Sequence, residues 1–480
     1  MAAVQPVAAR DAGEVPSVAR AGIRPWIIMA IACTGQFMVV LDTAIVNVAL
    51  PAMRADLALS VSQQQWVVTI YLLTFGGLLL LGARAGDLFG RKAVFQLGLA
   101  LFSVASLAGG LAVNGPLLLT ARAVQGVGAA ALAPSSLTVI VAGLRDPRQR
   151  AQGIALWGVA SSAAAAVGVV LGGLLTEELS WRWVFFINVP VGAGLLVAVG
   201  LVLLRGRQSH RGARDLDLPG AVLATLGAGV LIYGFSLAAE QGWQSASVIA
   251  ALCAAVAFLA LLIIVEARAE KPLIRLGIFR IANVRGANIV MLCLGAALTG
   301  AIFFLSLYLQ DVTGYSALRS GLSLLPLCAV MCFGAPVARR LVMGGVRFVP
   351  AAGALITAGA FAWFGWLPVH AAYVSHFLGP SLVMGVGFVL LVVPTVMAAT
   401  AGVPPHETGL ASGLVNVGRQ IGGAIGVAAL ATVASAVTGH TQGTSAPAAL
   451  LHGYHVALLA CAGICLVAVL ADIEMELRRA

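Results

Sequence analysis

A chain of 480 residues that is 60% hydrophobic and only 10% charged falls far short of the roughly 25% charged residues of a soluble domain, so it cannot face water on all sides. Its net charge of +10 comes from small basic groups set between apolar runs, not from the continuous basic stripe that a nucleic-acid partner requires. Arginine outnumbers lysine 26 to 2, and Ala and Gly abound, a bias of the kind a GC-rich bacterial genome imposes.

The first 25 residues mix charges with Pro and Gly and hold no apolar core, so they are expected to form a cytoplasmic tail and not a cleaved signal peptide. From Trp26 onward, apolar runs of about 20 residues recur, the length that crosses a hydrocarbon core as a helix. The ten-residue alternating segments of a membrane β-barrel are not visible. Six spans fall at about 26–50, 63–82, 93–113, 116–141, 152–175 and 186–204. A basic stretch, 205–217, precedes two more at about 218–238 and 247–265. The last six lie at about 286–309, 318–338, 347–368, 374–400, 408–436 and 452–471, before a short tail, 472–480.

The distribution of basic residues tests this count, because Lys and Arg accumulate in cytoplasmic loops. With the N-terminus inside, 23 of the 28 basic residues fall on the cytoplasmic side and only Arg54, Arg182 and Arg319 on the other. One miscounted helix would destroy that asymmetry. An all-α integral membrane protein of 14 helices in a bacterial cytoplasmic membrane is therefore expected, with both termini cytoplasmic. Two six-helix halves, 26–204 and 286–471, would flank a linker with two inserted helices, 205–285. A faint echo between Gly82–Lys92 and Gly334–Arg340 supports such a duplication, and paired halves commonly enclose a transport site near the midplane.

Few ionisable groups lie inside the spans: Asp42, Arg122 and Arg419. Each costs at least about 2.5–3.5 kcal/mol to insert, so each is a functional candidate. By the rise of 1.5 Å per residue, Asp42 and Arg122 sit roughly 13 Å and 10 Å below the outer surface, close enough to share one level. Burial favours a neutral carboxyl and a nearby guanidinium a charged one. A group balanced between them can take a proton from one side and release it to the other. A static ion pair is the competing reading. The seven cysteines lie in apolar runs and behave as small hydrophobes. Cys328/Cys332 and Cys461/Cys465 are one turn apart, but without a nearby His no metal site is expected.

The stretch Leu41-Asp-Thr-Ala-Ile-Val-Asn-Val-Ala-Leu-Pro51 resembles the span-1 signature of the 14-helix drug:proton antiporter branch of the major facilitator superfamily. Gly82-Ala-Arg-Ala-Gly-Asp-Leu-Phe-Gly-Arg-Lys92 resembles that superfamily's loop 2–3 motif, and Leu119–Ala130 the span-4 motif whose Arg, here Arg122, is associated with proton transfer. Trp181–Gly192 and Gly409–Gly423 resemble the entry to span 6 and span 13. The resemblance covers nearly the whole chain. It implies the major facilitator fold and export of a small amphipathic substrate against protons, with no cofactor. Two departures stand out. Ala83 occupies the loop-motif position that is usually Gly, and Gly168-Val-Val-Leu-Gly-Gly173 carries Val169 where the antiporter signature has Pro, which removes a kink point.

The loop 2–3 motif is readable as a latch. Gly90 permits a tight turn, and Asp87, Arg91 and Lys92 offer charges to neighbouring helix ends. Gly168 and Gly172 allow close helix approach and join this gating set. Polar or aromatic groups at cavity depth make up the candidate substrate contacts: Gln36, Asn47, Tyr71, Trp157, Asn288, Tyr308, Asn416 and Arg419. Such a chain needs protons, a small amphipathic substrate and a lipid bilayer as its partners, and a monomer is expected. A dedicated secondary-metabolite exporter, an uncoupled facilitator and a non-transporting sensor remain the alternatives. An ATP-driven pump lacks its Gly-x-x-x-x-Gly-Lys-Ser/Thr loop, and no catalytic His or Cys spacing points to a membrane enzyme.

Overall fold

A computed structural model describes residues 24–144, 146–203, 217–269, 272–369, 372–404, 407–440 and 446–477, and leaves the side chains of Asp87, Ala239, Gly439, His440, Ala446 and Pro447 undescribed. Most of the tail 1–25, nearly all of the 205–217 stretch and the last three residues therefore lie outside it. The helices are α1 (Pro25–Asp56), α2 (Val61–Phe89), α3 (Arg91–Gly110), α4 (Gly115–Gly143), α5 (Pro147–Glu178), α6 (Trp183–Phe186), α7 (Asn188–Val202), α8 (Leu218–Gln241) and α9 (Ala246–Arg268). They continue with α10 (Ala282–Leu307), α11 (Ala317–Met343), α12 (Val349–Phe364), α13 (Gly379–Thr400), α14 (Thr408–His440) and α15 (Ala446–Leu477).

Local chemistry sets many of these boundaries. Ser60 and Gln63 form a capping box at the start of α2, satisfying amides that no earlier turn can accept. Asn114, Asp146, Asp217 and Ser316 cap α4, α5, α8 and α11 with their side chains, and proline follows in the first turn of α4, α5 and α8, where its missing N–H costs nothing. Gly90, at φ +97°, both ends α2 and starts α3.

Thirteen described segments are long and apolar enough to cross a membrane, with α6 and α7 together making one of them. The fourteenth, α12, has 16 residues and is shorter than the roughly 20 that a full crossing takes. Two expected boundaries need correction. The first span does not stop at residue 50: α1 runs through Pro51 to Asp56. Proline removes the N–H that would bond the Asn47 carbonyl, but the Ser306 hydroxyl donates to that carbonyl instead (3.1 Å), so the helix continues without an orphaned acceptor. The sixth span begins at Trp183 and is broken at Ile187, where α6 gives way to α7.

Helices α1–α7 pack on one another, chiefly α1 on α5, and α4 on α2 and α3. Helices α10–α15 form a second bundle around α10 on α14 and α12 on α13 and α15. These are the two six-helix halves, and they meet along the α5–α11 and α2–α14 seams. The inserted α8 and α9 pack as a pair, with α8 against both α2 and α14. Helix α9 leaves Ile249, Val256, Leu261, Ile263 and Ile264 exposed, an apolar face that only lipid covers comfortably.

One end of the bundle, the Asp56 end, holds the direct polar contacts between α1 or α5 and the second half. Ser306 and Gln310 of the second half donate to the Asn47 and Val48 carbonyls (3.1 and 3.0 Å), and the Leu318 amide donates to Glu177 (3.0 Å). Toward the opposite, Lys92 end, Val159 of α5 is 64% exposed and Phe333 of α11 is 81% exposed.

Candidate functional site

Asp42 sits in mid-α1 and Arg122 on α4, and both are enclosed, at 0% and 1% exposure. Arg122 Nη1 donates to Asp42 Oδ2 at 2.6 Å and to Gln125 Oε1 at 2.7 Å, while its Nε donates to the Val67 carbonyl of α2 at 3.0 Å. Gln125 Nε2 in turn donates to Asp42 Oδ1 (2.6 Å) and to Ser106 Oγ (2.9 Å) on α3. Asn188, at the first turn of α7, adds a longer bond to Asp42 Oδ1 (3.3 Å). The Arg122 guanidinium lies 4.2 Å from the Tyr71 ring centroid and 5.9 Å from that of Phe185, and attraction to the ring faces offsets part of its desolvation.

A single carboxylate thus gathers donors from α4 and α7 and, through Gln125 and Arg122, ties in α3 and α2. Charge-assisted hydrogen bonds of this kind are about twice as strong as neutral ones, and removing one member of such a buried pair is costly, at about 3–5 kcal/mol. Protonating Asp42 replaces an acceptor with a donor and weakens its hold on Arg122, Gln125 and Asn188 together. A proton there would act on partners from α4 and α7 at once.

The other sequence candidates are distributed as follows. Gly168 and Gly172 lie where α5 crosses α1 beside Asp42: an added methyl would sit 2.7 Å from Ala44 Cβ and 2.8 Å from the Ile45 carbonyl, respectively. Tyr71 belongs to the ion-pair cluster and donates toward the Val39 carbonyl (3.4 Å). Tyr308 is buried and donates to the Pro368 carbonyl (2.8 Å), so it serves the core of the second half. Gln36 and Asn47 are buried in the first half, each with an amide oxygen that has no hydrogen-bond partner. Trp157 Nε1 donates to Ser136 Oγ (2.9 Å), joining α5 to α4.

Asn416 and Arg419 share one face of α14, Arg419 donating to Asn416 Oδ1 (3.2 Å). Among the described residues Arg419 has no carboxylate partner, and it is only partly buried although it stands deep in its span. Asn288 donates to the Val284 carbonyl one turn back (2.8 Å) and lies against Gly418 of α14. Among the described residues no three His, Cys, Asp or Glu side chains cluster as a metal site.

In the loop 2–3 motif, Lys92 Nζ donates to the Gly200 and Leu203 carbonyls (3.0 and 2.6 Å) at the end of α7. A cation there meets the negative end of the helix dipole, within the first half. The Asp87 side chain lies outside the described residues. Arg84 of the motif reaches beyond the first half, its Nη1 donating to the Pro272 carbonyl (2.9 Å) after α9. Sequence reasoning passed over Arg84, Gln125, Ser106 and Asn188 as site residues. Gln125 could have been found, since it lies three residues after Arg122 and hence on the same helix face; Asn188 carries no such local signal.

Comparison with known proteins agrees with this architecture. The family model described as Major Facilitator Superfamily matches residues 32–225 and 218–427. The cephamycin export protein CmcT of Amycolatopsis lactamdurans is 40% identical over 458 residues, covering 94% of this chain and 93% of that protein. The puromycin resistance protein pur8 of Streptomyces alboniger is 39% identical, covering 95% and 92%. The tetracenomycin C resistance and export protein of Streptomyces glaucescens is 33% identical, covering 87% and 77%. Among solved structures, the POT family transporter PepTSo superposes with a TM-score of 0.70 at 14% identity, covering 95% and 99%. An inward-facing, unoccupied bacterial homologue of the lysosomal transporter Spinster superposes with a TM-score of 0.65 at 16% identity, covering 95% and 97%. At these identities the structural likeness concerns the fold alone.

Proposed function

Because the chain belongs to the major facilitator superfamily, and is therefore a membrane transporter and not an enzyme, we propose that it exports small amphipathic antibiotics or related metabolites in exchange for protons. The observation that carries this reading is the buried Asp42–Arg122 pair. A passive facilitator has no need of a titratable group whose protonation releases partners on α4 and α7. In the proposed cycle, Asp42 takes a proton from outside and loses it inside, and the two halves rock about the α5–α11 and α2–α14 seams. Direct contacts between the halves at the Asp56 end support an inward-facing state. Asn288, Asn416 and Arg419 are the proposed polar contacts for substrate, and Gly90 with Lys92 and Arg84 the proposed hinge at the inner mouth.

Cells expressing the gene should survive higher concentrations of several of a structurally varied panel of antibiotics than cells lacking it. Equal sensitivity to every compound, with the protein present in the membrane, would count against export. The proposed orientation has its own test. With the native cysteines replaced, a Trp243→Cys probe in the α8–α9 loop should react with an impermeant thiol reagent in intact cells. A Val346→Cys probe in the α11–α12 loop should react only after lysis; the reverse pattern would invert the topology.

A further inference from the structure

The inserted helix pair carries two acidic side chains that the proton-coupling scheme does not use. Asp217 stands immediately before α8 and Glu266 in the last turn of α9, both buried at the Lys92 end. Asp217 Oδ1 accepts from the Gly220 amide (2.9 Å) and its Oδ2 from the Leu273 amide (3.1 Å). Glu266 Oε2 accepts from the Ile274 amide (3.1 Å). Glu266 is 4% exposed, and its second oxygen, Oε1, is enclosed without a hydrogen-bond partner.

Gly220 is what lets the two acids meet. A methyl group on its Cα would lie 2.6 Å from Glu266 Oε1 and 2.8 Å from Asp217 Oδ2, so both oxygens border the same small space. With both groups ionised, two negative charges would share a site shielded from water, and one oxygen would stay unsatisfied, which is doubly unfavourable. A proton on Oε1 removes both faults: it cancels one charge and supplies a donor toward Asp217 Oδ2.

We infer that Asp217 and Glu266 form a second proton-binding site, a carboxylic acid–carboxylate pair beneath the inserted helices, separate from the Asp42 site. Its occupancy acts on the turn 272–275, which both acids hold by its amides. That turn is tied to α2 through Arg84 and the Pro272 carbonyl (2.9 Å), and to the start of α14 through Arg275 and Glu407 (3.0 Å). Among the described residues the charges facing Glu266 are Asp217 and Arg84. From helix α14, Leu410, Ala411, Leu414 and Val417 join the apolar packing around Leu273, and Glu270 and Lys271 lie outside the described residues. When Glu266 loses its proton it repels Asp217 and competes with the Pro272 carbonyl for Arg84, so the tie across the inner mouth loosens. The two additional helices thereby report the pH of the compartment at the Lys92 end to both halves.

Infrared titration of the full-length protein in lipid vesicles tests this without any transport measurement, so its outcome is independent of the exporter reading. The wild type should keep a carboxylic-acid carbonyl band at pH values well above about 4.3, where an ordinary glutamate is ionised. Glu266→Gln should remove one component of that band, and Asp217→Asn, which keeps Glu266 but removes its charged neighbour, should shift the titration of that component. Gly220→Ala, which drives a methyl against both oxygens, should shift it as well. A band that survives Glu266→Gln unchanged, or its absence from the wild type near neutral pH, would overturn the assignment.

Discussion

Replacing Asp42 with Asn is expected to abolish accumulation of substrate against a gradient in reconstituted vesicles, while counterflow exchange of labelled for unlabelled substrate continues. The asparagine is nearly isosteric but permanently neutral, so the rocking cycle persists and the proton has no carrier. A pH gradient supplies about 1.4 kcal/mol per unit and proton, and a potential about 2.3 kcal/mol per charge per 100 mV; without Asp42 neither reaches the substrate. The variant also leaves the Arg122 guanidinium enclosed at 1% exposure without its counter-charge, and directs an amide donor at donors from Gln125 or Asn188. A loss of stability of several kcal/mol follows from breaking a buried pair. The double variant Asp42→Asn/Arg122→Gln removes both charges, so it should recover much of the thermal stability and none of the coupling. Proton-driven uphill transport persisting in either variant would show that another group carries the proton.

Gly321→Val should cost at least about tenfold in transport, which is about 1.4 kcal/mol in free-energy terms, by prising apart the α5–α11 seam. A methyl at Gly321 would lie 2.0 Å from the Val169 carbonyl oxygen, and one at Gly173 would lie 2.5 Å from the Leu318 Cα. These are backbone atoms, which cannot swing away as a side-chain tip can, so valine forces the helices to separate. The outcome is readable directly. A Val169→Cys probe, at a position buried in the wild-type seam, should resist a thiol reagent while Gly321 is intact. The same probe should react in the Gly321→Val background, with Gly321→Ala intermediate. Wild-type transport together with a probe that stays protected would mean that the seam does not close as tightly during the cycle.

Val169 also bears on the departure from the antiporter signature. Helix α5 runs from Pro147 to Glu178 with no internal proline, and its glycines pack on both sides, Gly168 and Gly172 on α1 and Gly173 on α11. The kink point is gone, but the close contacts that glycine provides to the helix of Asp42 and to the second half are present.

The membrane class, the span count to within one short helix, and the two intramembrane charges that the fold pairs, Asp42 and Arg122, were legible along the chain. The reason is energetic. A bilayer core demands helices near one length and makes every charge inside it expensive, so span length and isolated ionic residues are written along the chain. Where the chain enters and leaves its helices was less legible, as α1 shows. Pro51 reads as a stop, and only Ser306, 259 positions beyond the Asn47 carbonyl it bonds, supplies the donor that lets the helix continue. The partners of Asp42 follow the same logic. Gln125 shares a helix face with Arg122, but Asn188 reaches Asp42 only because α7 packs against α1 and α3. Likewise the pairing of Arg84 with Pro272, and of Asp217 with Glu266 across Gly220, depends on how α8 and α9 settle beside α2 and α14. Helix rotation and packing decide which polar groups meet, and those are properties of the assembled bundle that no local stretch encodes.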